Sequence, residues 1–486
     1  MKPVLKILER EAILRLRQAA FDLLEQVGVR FDSSEAERVF LEAGQKLDVA
    51  TRTVRLAPEL VERCLAQLPR NVLLAARDPE RDVILGSGGV HTCLDGQGTF
   101  TLDSETGQRR PSTLDDLVRA TRVSDALESI DYYWVPVVPG DVPDSVRTLV
   151  EVATGFIHTS RHIQHEIKHP HQAPQLLEML DALIGDRRRH RERPVFSIVC
   201  CPVSPLRHEP DMTAASMELA RHFVPICLMP MPLSGATGPV TLAGNVVLTL
   251  AEFLSGVALF QLVQPGCPMI LGIGSSILDM RTGLYSAGAP ELSLLNIALT
   301  EMGHHLGVPV MAQGVVSDAK VPGVQAAYEK AMNGLTAVLA GSDALNGVGL
   351  LDAHQLLSFE QMVIDDEIVR QARRIGGGFA IDDERLMLAL IGEVGIGGHF
   401  LGKRATLEYL RKGEHFQPRF SYRGSFESWH ERGFDELALA RGQVQRILEE
   451  HPVMPLAPEV EEALNQIVLR ADESAQVARL TSRDMP

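Results

Sequence analysis

Eight short apolar runs, most of them separated by enough residues for one helix, constrain the fold of this chain more than any other feature. They cover residues 132–138, 162–167, 195–201, 224–229, 269–273, 308–312, 344–348 and, more weakly, 396–401. Runs that are apolar throughout are typical of parallel strands buried on both faces. Eight strand–helix units that close on themselves form a TIM (β/α)8 barrel, and the sequence predicts this α/β fold. An open doubly wound sheet is the alternative, but no Gly-x-Gly-x-x-Gly sequence follows the first run.

The flanking regions have a different pattern. Residues 1–110 combine three helical segments with short, Gly-rich strand candidates, so we expect an N-terminal α+β cap. Residues 111–430 then form the predicted barrel. Residues 431–486 read as C-terminal helices that pack against the barrel or against a second subunit.

Charge and cysteine usage narrow the class of protein. The 486 residues include 47 Lys and Arg against 63 Asp and Glu, a formal charge of −16, which disfavours nucleic acid as a partner. The most apolar helix candidate, residues 245–263, contains Glu252 and Gly256 and reads as a buried helix, and the N-terminus lacks a signal-peptide core. Six cysteines occur without a Cys-x-x-Cys pair. We therefore expect a cytoplasmic protein without a disulfide framework.

Candidate functional residues lie in or after the strand candidates, because TIM-barrel sites form at the carboxyl ends of the strands. Tyr132, Tyr133 and Trp134 either fill the barrel interior or form an aromatic wall for a quaternary ammonium ion. His165 is either a hydrogen-bonded core residue or part of a site.

Two further segments are open to more than one interpretation. Cys200 and Cys201 point to opposite faces if extended, and with His165 and His208 they make a zinc site conceivable, although no ligand spacing supports it. The Gly-rich loop from Ser234 to Gly238 could cradle an anion with its N–H groups, or could simply allow a ligand to approach closely.

Several segments carry a resemblance to a known family. They are residues 82–100, 102–107 and 110–117, the long motif 231–244, then 261–266, 317–320 and 325–330, with Trp429 and Gly433 near the C-terminus. In these segments the chain resembles the trimethylamine methyltransferase family. The resemblance covers about residues 10–465, and the long middle motif is its most specific part.

The family resemblance implies a TIM barrel and transfer of a methyl group from a methylated amine to the cobalt of a cognate corrinoid protein. Founding members carry pyrrolysine at the barrel centre, which we expect near Gly314–Ser317, where this chain has standard residues such as Val315 and Val316. It therefore resembles the pyrrolysine-free branch, whose members demethylate quaternary amines such as glycine betaine. One departure is the run Arg404-Ala405-Thr406, where the family usually has a His-Thr pair.

The resemblance, read with the strand positions, assigns roles to named residues. The predicted ammonium cage is Tyr133, Trp134 and Tyr328. His165 and Gln313 would bind or orient a substrate carboxylate, and Glu291 and Asp318 are weaker electrostatic partners of the cation. The residues expected near the docked corrinoid are Ser234, Gly235 and Gly238.

These assignments leave the catalytic group open, because displacement at a quaternary amine needs no general base. We expect no metal site and no tightly bound cofactor in the chain itself, a corrinoid (cobalamin) carried by a partner protein, and a homo-oligomer. Two alternatives stand beside this hypothesis. One is a zinc-dependent methyltransferase that activates a thiol through Cys200 or Cys201, and the other is an inactive protein that binds a quaternary amine or a corrinoid.

Overall fold

Eight parallel strands form a barrel at the centre of the protein, for which the computed structural model describes residues 4–96 and 98–483. In chain order, and here numbered first to eighth, they are His91–Leu94, Tyr133–Trp134, Ile163–His165, Phe196–Cys200, Ile226–Leu228, Met269–Gly272, Val310–Gln313 and Ala344–Val348. From the second strand onward each strand pairs with the next, and the eighth pairs with the first. The first and second strands are the two edges of this sheet and lie side by side, where the Asp131 N–H donates to the Thr92 carbonyl at 2.8 Å, so the barrel is nearly closed.

The barrel confirms the predicted fold, and seven of the eight apolar runs contain a barrel strand. The prediction for residues 396–401 was wrong, because this stretch is exposed and connects the helices Leu388–Val394 and Arg404–Arg411. The missing strand is His91–Leu94, which lies within the region predicted as the N-terminal cap. This strand has only four residues, and two of them, His91 and Thr92, are polar, so it does not stand out as an apolar run. The division of the chain at residues 110 and 430 stays a prediction.

One helix follows each strand and covers the outside of the barrel. These helices are Leu114–Ala126, Arg147–His158, Gln172–Ile184, Pro210–Arg221, Leu242–Val263, Pro290–Leu306, Val324–Ala340 and Phe359–Gly376, with a short helix Arg187–Glu192 inserted after the third. Local signals explain several of their starts. Thr113 and Asp116 form a capping box, and the Ser358 hydroxyl accepts from the Gln361 N–H at 3.2 Å.

The helix Leu242–Val263 is the one described helix that is long and apolar enough to cross a membrane, and most of it is buried inside the protein. The N-terminal helices Arg10–Gln26, Ser34–Glu42 and Pro58–Leu65 pack against it. A helix buried between the barrel on one side and other helices on the opposite side is expected to be apolar all round.

Small sheets and hairpins complete the two ends of the barrel. The strands Val29–Phe31, Lys46–Asp48 and Thr53–Arg55 form a sheet with Arg207–His208. The antiparallel hairpin Val72–Leu74 and Val83–Leu85 packs against the barrel interior together with Cys93, Tyr132 and Val199. One further sheet has four strands: Phe100–Leu102, Arg109–Pro111, Leu350–Leu351 and Leu356–Leu357. Another has three: Leu233–Ser234, Ser276–Asp279 and Leu284–Ser286.

After the last barrel helix, the chain forms four short helices and then two long helices that pack against the barrel. The short helices Asp383–Leu386, Leu388–Val394, Arg404–Arg411 and Phe426–Arg432 come first. Glu436–Glu450 then packs on the helices Leu114–Ala126 and Phe359–Gly376, and Pro458–Arg483 packs on Arg147–His158 and Gln172–Ile184. The C-terminal helices therefore pack against the barrel, which is one of the two predicted arrangements.

A buried ion pair ties the seventh and eighth strands to their helices. The Lys330 ammonium is fully buried, contacts the Asp365 carboxylate at 2.7 Å, and donates to the carbonyl oxygens of Val315 and Gly347 at 2.7 and 3.1 Å. Asp365 also accepts from the Gly349 N–H at 2.8 Å. Burial lowers the pKa of Lys330 and raises the pKa of Asp365, so each charge depends on the other.

We expect Lys330→Met to lower the free energy of unfolding by about 3–5 kcal/mol, because it leaves the Asp365 charge buried without its partner. The double variant Lys330→Met/Asp365→Leu should recover part of this loss, since it removes both charges. Chemical denaturation measures both values. The control is Arg38→Met, which removes an exposed cation 3.8 Å from Glu42 and should change the stability by less than ~0.5 kcal/mol. Equal effects of the buried and the exposed substitution would contradict the assignment.

Candidate functional site

A cavity of about 500 Å³ opens at the carboxyl-terminal end of the barrel. Almost every strand contributes to its wall, either from its last residues or from the loop that follows. The lining residues are Asp95, Gly96, Trp134, Glu166, Cys201, Met212, Met229, Met231, Gly274, Tyr285, Gln313, Asn346, Ala353, His354 and Gln355. This end of a TIM barrel is where functional sites form, so the cavity is the candidate active site.

The Trp134 indole forms one wall of the cavity and is 3% exposed. Side chains alternate along a strand, so the neighbouring Tyr133 points outward, where its hydroxyl bonds Thr121 at 2.7 Å. Gly96 lies against the ring, and a Cβ atom there would come within 2.6 Å of the indole. The glycine is needed for the indole to take this position.

Two carboxylates, Asp95 and Glu166, reach the same cavity from the first and third strands. Asp95 accepts from the Gly96 N–H at 2.9 Å and from the Asn346 amide at 3.4 Å, and it pairs with His354. Glu166 is buried, and its Oε2 atom has no hydrogen-bond partner among the described residues. Burial raises the pKa of Glu166, because the charged form has lost its water. The cavity therefore holds a carboxylate that a cationic ligand would stabilise.

His354 enters the cavity from a backbone turn of uncommon geometry. Asp352, Ala353 and His354 have φ values of 51°, 51° and 75°, three consecutive residues in the left-handed region that disfavours side chains. The paired strands Leu350–Leu351 and Leu356–Leu357 hold the two ends of this turn. The Asp352 N–H also donates to the Ala319 carbonyl at 2.8 Å, and the Ala353 N–H to the Ser317 carbonyl at 3.0 Å. Strain of this kind persists where the surroundings fix the backbone, and it concentrates at functional sites.

Gln313 links the imidazole to a tyrosine. Its Oε1 atom accepts from the Tyr285 hydroxyl and lies 3.1 Å from the His354 Nε2 atom, while its Nε2 atom donates to the Ser275 carbonyl at 3.2 Å. The amide is thus fixed at both ends. Asp95, His354, Gln313 and Tyr285 form one continuous hydrogen-bonded network along the cavity wall.

Sulfur-containing side chains make the remaining wall largely apolar: Cys201, Met212, Met229 and Met231. Burial raises the pKa of Cys201 well above its ordinary value, so the thiol stays neutral and is a poor nucleophile. Cys200 points to the opposite side of its strand, into the outer core. Among the described residues, no group of three or more His, Cys, Asp or Glu is placed to hold a metal ion. The described residues therefore offer no set of zinc ligands for the alternative of a zinc-dependent methyltransferase.

The structure brings together only some of the residues predicted from the sequence. Trp134 and Gln313 line the cavity. Tyr133 and His165 do not, because both point outward from their strands, and His165 Nε2 lies 2.8 Å from Glu151 on the neighbouring helix. Alternation along the third strand places Glu166 in the cavity wall instead of His165.

The other predicted substrate contacts also lie outside the cavity wall. Tyr328 is 52% exposed on the outer helix Val324–Ala340, and Glu291 is half-buried in the first turn of another outer helix. The Asp318 carboxylate is used locally, since it accepts from the Ala287 and Gly288 N–H groups at 2.7 and 2.9 Å. None of these three side chains is among the cavity-lining residues.

The predicted glycine-rich loop lies beside the mouth of the cavity. Met231 lines the cavity, and the segment Leu233–Ser234 pairs with Ser276–Asp279. Gly235 has φ 92°, and Met280 packs so closely over it that a Cβ atom would lie 2.3 Å from the methionine methyl group. The Gly235 N–H donates to the Gly238 carbonyl at 3.1 Å.

Sequence reasoning missed Asp95, Tyr285 and His354 and did not select Glu166. Asp95 lies directly after the unrecognised first strand, and it would have been found with that strand. The residues Tyr285 and His354 come from hairpins at the mouth, which no periodicity marks. Only the folded structure brings them to Gln313.

Comparison with known proteins identifies the family of this chain. The family model for trimethylamine methyltransferase (MTTB) matches residues 1–476. The chain is 30% identical over 470 residues to trimethylamine methyltransferase MttB of Desulfitobacterium hafniense, an alignment that covers 96% of this chain and 94% of the relative. It is 29% identical over 468 residues to the glycine betaine methyltransferase of Desulfitobacterium hafniense strain Y51, covering 96% and 97% of the two chains.

Solved structures support the fold. The monomethylamine methyltransferase MtmB of Methanosarcina barkeri superposes with a TM-score of 0.51 at 10% sequence identity, covering 96% of this chain and 88% of that one. The crystal structure of a hydroxylamine complex of MtmB gives a TM-score of 0.52, with coverage of 92% and 89%. The predicted resemblance is confirmed by the family match over nearly the whole chain. The chain belongs to the trimethylamine methyltransferase family and is a methyltransferase.

Proposed function

We propose that this methyltransferase takes a methyl group from a small quaternary, betaine-type amine and passes it to the cobalt of a cognate corrinoid protein in the cytoplasm. The observation that carries the proposal is the pairing, in one cavity, of the Trp134 indole with the carboxylates of Asp95 and Glu166. None of the described residues that line the cavity is a Lys or an Arg. A permanent cation of modest size fits such a wall.

An aromatic ring and buried carboxylates attract a quaternary ammonium in complementary ways. The ring offers its negative face to the methyl groups that carry the spread positive charge, which is worth about 2 kcal/mol when water is excluded. The carboxylates add long-range attraction without needing a hydrogen-bond donor on the ligand. Two relatives, a trimethylamine methyltransferase and a glycine betaine methyltransferase, fit a methylated nitrogen as substrate.

The hydrogen-bonded network gives the substrate an orientation. His354 and Tyr285 contact the Gln313 side chain and line the cavity, and they can meet the carboxylate of a betaine while its ammonium end lies against the indole. Gln313 keeps its predicted role as an orienting residue. His354 takes the role predicted for His165, whose imidazole faces Glu151 outside the barrel.

This methyl transfer requires the protein mainly to orient the substrate and to exclude water. A quaternary nitrogen already carries the positive charge, so it keeps the electron pair of the broken carbon–nitrogen bond and leaves as a neutral amine. The reduced cobalt supplies the pair for the new carbon–cobalt bond. No side chain has to transfer a proton in this step.

The acceptor protein needs a surface beside the mouth of the cavity. We propose that this surface is the loop of Ser234, Gly235 and Gly238 together with the hairpin that pairs with it. Exposed apolar side chains on these two segments are Met231, Val240, Met280 and Leu284. Gly235 leaves room for Met280, whose exposed side chain would lie against the acceptor protein.

The alternative of an inactive binding protein rested on the departure Arg404-Ala405-Thr406. These residues begin an exposed helix and are not among the residues that line the cavity. The departure therefore leaves the cavity intact and gives no reason to expect lost turnover.

We expect Trp134→Ala to weaken binding of a trimethylammonium substrate about 30-fold, the equivalent of the ~2 kcal/mol of a desolvated cation–π contact. Calorimetric titration with a panel of betaines measures the affinity. Methylation of a reduced corrinoid acceptor, followed by its absorbance, measures turnover. Trp429→Ala is the matched control, because Trp429 is the second of the two tryptophans and does not line this cavity. Unchanged affinity of Trp134→Ala for every compound in the panel would remove the proposed cage, and binding without methyl transfer would support the inactive alternative.

Affinity for the cation should rise with pH through the raised pKa of Glu166. Below that pKa the carboxyl is protonated and offers no charge, and above it the carboxylate attracts the ammonium. Titrations from acid to neutral pH, over the range in which the protein stays folded, test this dependence. Glu166→Gln should flatten this part of the curve, whereas Glu42→Gln, which changes an exposed carboxylate on an N-terminal helix, should preserve it. A curve of the same steepness in Glu166→Gln would assign the pH dependence to another group.

A further inference from the structure

Residues 378–414, here called the lobe, leave the barrel and return to the same point. Arg374, in the last turn of the helix Phe359–Gly376, holds both ends: its guanidinium donates to the Gly378 carbonyl at 2.6 Å and to the Glu414 carbonyl at 3.0 Å. Between these points the chain forms the helices Asp383–Leu386, Leu388–Val394 and Arg404–Arg411.

The lobe has no core of its own. All of its residues are described, and not one of them is buried. Ordering a residue costs about 1–2 kcal/mol of backbone entropy, which folded segments offset by burying apolar surface. A segment of this length that is ordered without burial depends on a surface outside its own chain.

The lobe exposes many large apolar side chains. Large apolar side chains that are exposed along it are Ile381, Leu386, Leu388, Ile391, Ile396, Phe400, Leu401, Leu407 and Leu410. Together they present on the order of 1,000 Å², above the roughly 800 Å² that each partner buries in a standard interface and far above the scattered apolar residues of a monomer surface. A groove of about 330 Å³, lined in part by Met387, Leu390 and Phe400, runs between the helices.

Charge indicates which partner fits. The lobe has five Lys and Arg against six Asp and Glu, a net charge of −1, whereas the whole chain carries −16. Several of these charges are paired inside the lobe, as in Lys403 with Glu393 at 2.7 Å and Arg404 with Glu408 at 2.6 Å. Two copies of so acidic a chain repel each other over most of their surface, and the lobe is a place where that repulsion is nearly absent.

We propose that the lobe joins two copies of this chain, with the fully exposed Ile396 and Leu401 of each copy seated against the groove of the other. The contact is isologous: the same patch supplies the protruding residues and the groove, which is the commonest way that identical chains associate. Because the lobe has no core of its own, it needs its partner surface as soon as the chain folds. A second copy of the same chain is always available at that point. The inference is independent of the proposed substrate.

The test is the mass of the purified chain in solution, by light scattering and sedimentation equilibrium from about 1 to about 50 µM, a range that brackets ordinary subunit affinities. We expect twice the chain mass for the wild type and for the control Val49→Asp, which changes an exposed apolar residue in the N-terminal region. The variant Ile396→Asp/Leu401→Asp should sediment as a single chain.

Hydrogen exchange separates lost association from lost folding. In the wild type the lobe amides should exchange slowly, and in the double variant they should exchange at least 10-fold faster while the barrel strands keep their protection. A wild type that is a single chain at every concentration would overturn the proposal. So would a double variant that stays associated. Lobe protection that appears only on adding a different protein would assign the surface to that protein and equally overturn it.

Discussion

The alternation of side chains along eight parallel strands determines what the centre of this protein can do. Closing the sheet into a barrel sends every second side chain into one shared interior, and the others toward the helices. Trp134 and Glu166 thereby reach the cavity while their neighbours Tyr133 and His165 bond to Thr121 and Glu151 outside. A shift of one residue in either strand would exchange these roles, so the site depends on the register of the barrel.

The register is supported from outside the barrel by polar contacts that are fully buried. The Lys330 ammonium donates to backbone carbonyls at the ends of the seventh and eighth strands and neutralises the Asp365 carboxylate. Asp365 in turn accepts from the Gly349 N–H. These contacts lie a few residues before the left-handed turn at Asp352–His354. A strained turn can place an imidazole reliably only when the backbone on both sides is held, and here the buried ion pair and the paired strands provide that support.

The cavity and the lobe illustrate two different uses of apolar surface. In the cavity, methionines and an indole surround two carboxylates, so a cation gains from the low polarity around it as well as from the charge. In the lobe, the large aliphatic side chains are exposed in the single chain. The first arrangement recognises a small ligand, and the second needs a large, flat partner.

The sequence by itself determined the fold class, the family and two of the cavity residues. Continuous apolar runs are typical of buried parallel strands, which is why seven of the barrel strands were predicted, and Trp134 and Gln313 lie within or directly after such runs. The short first strand gave no such signal, so Asp95 was missed with it. The direction of His165 could not be chosen because one residue of uncertainty in a strand end reverses the face. Tertiary structure alone decided that hairpins distant in sequence bring Tyr285 and His354 onto Gln313, and that an apolar stretch at 396–401 lies on the surface. Periodicity reports which side of an element is apolar, but only packing determines what covers it.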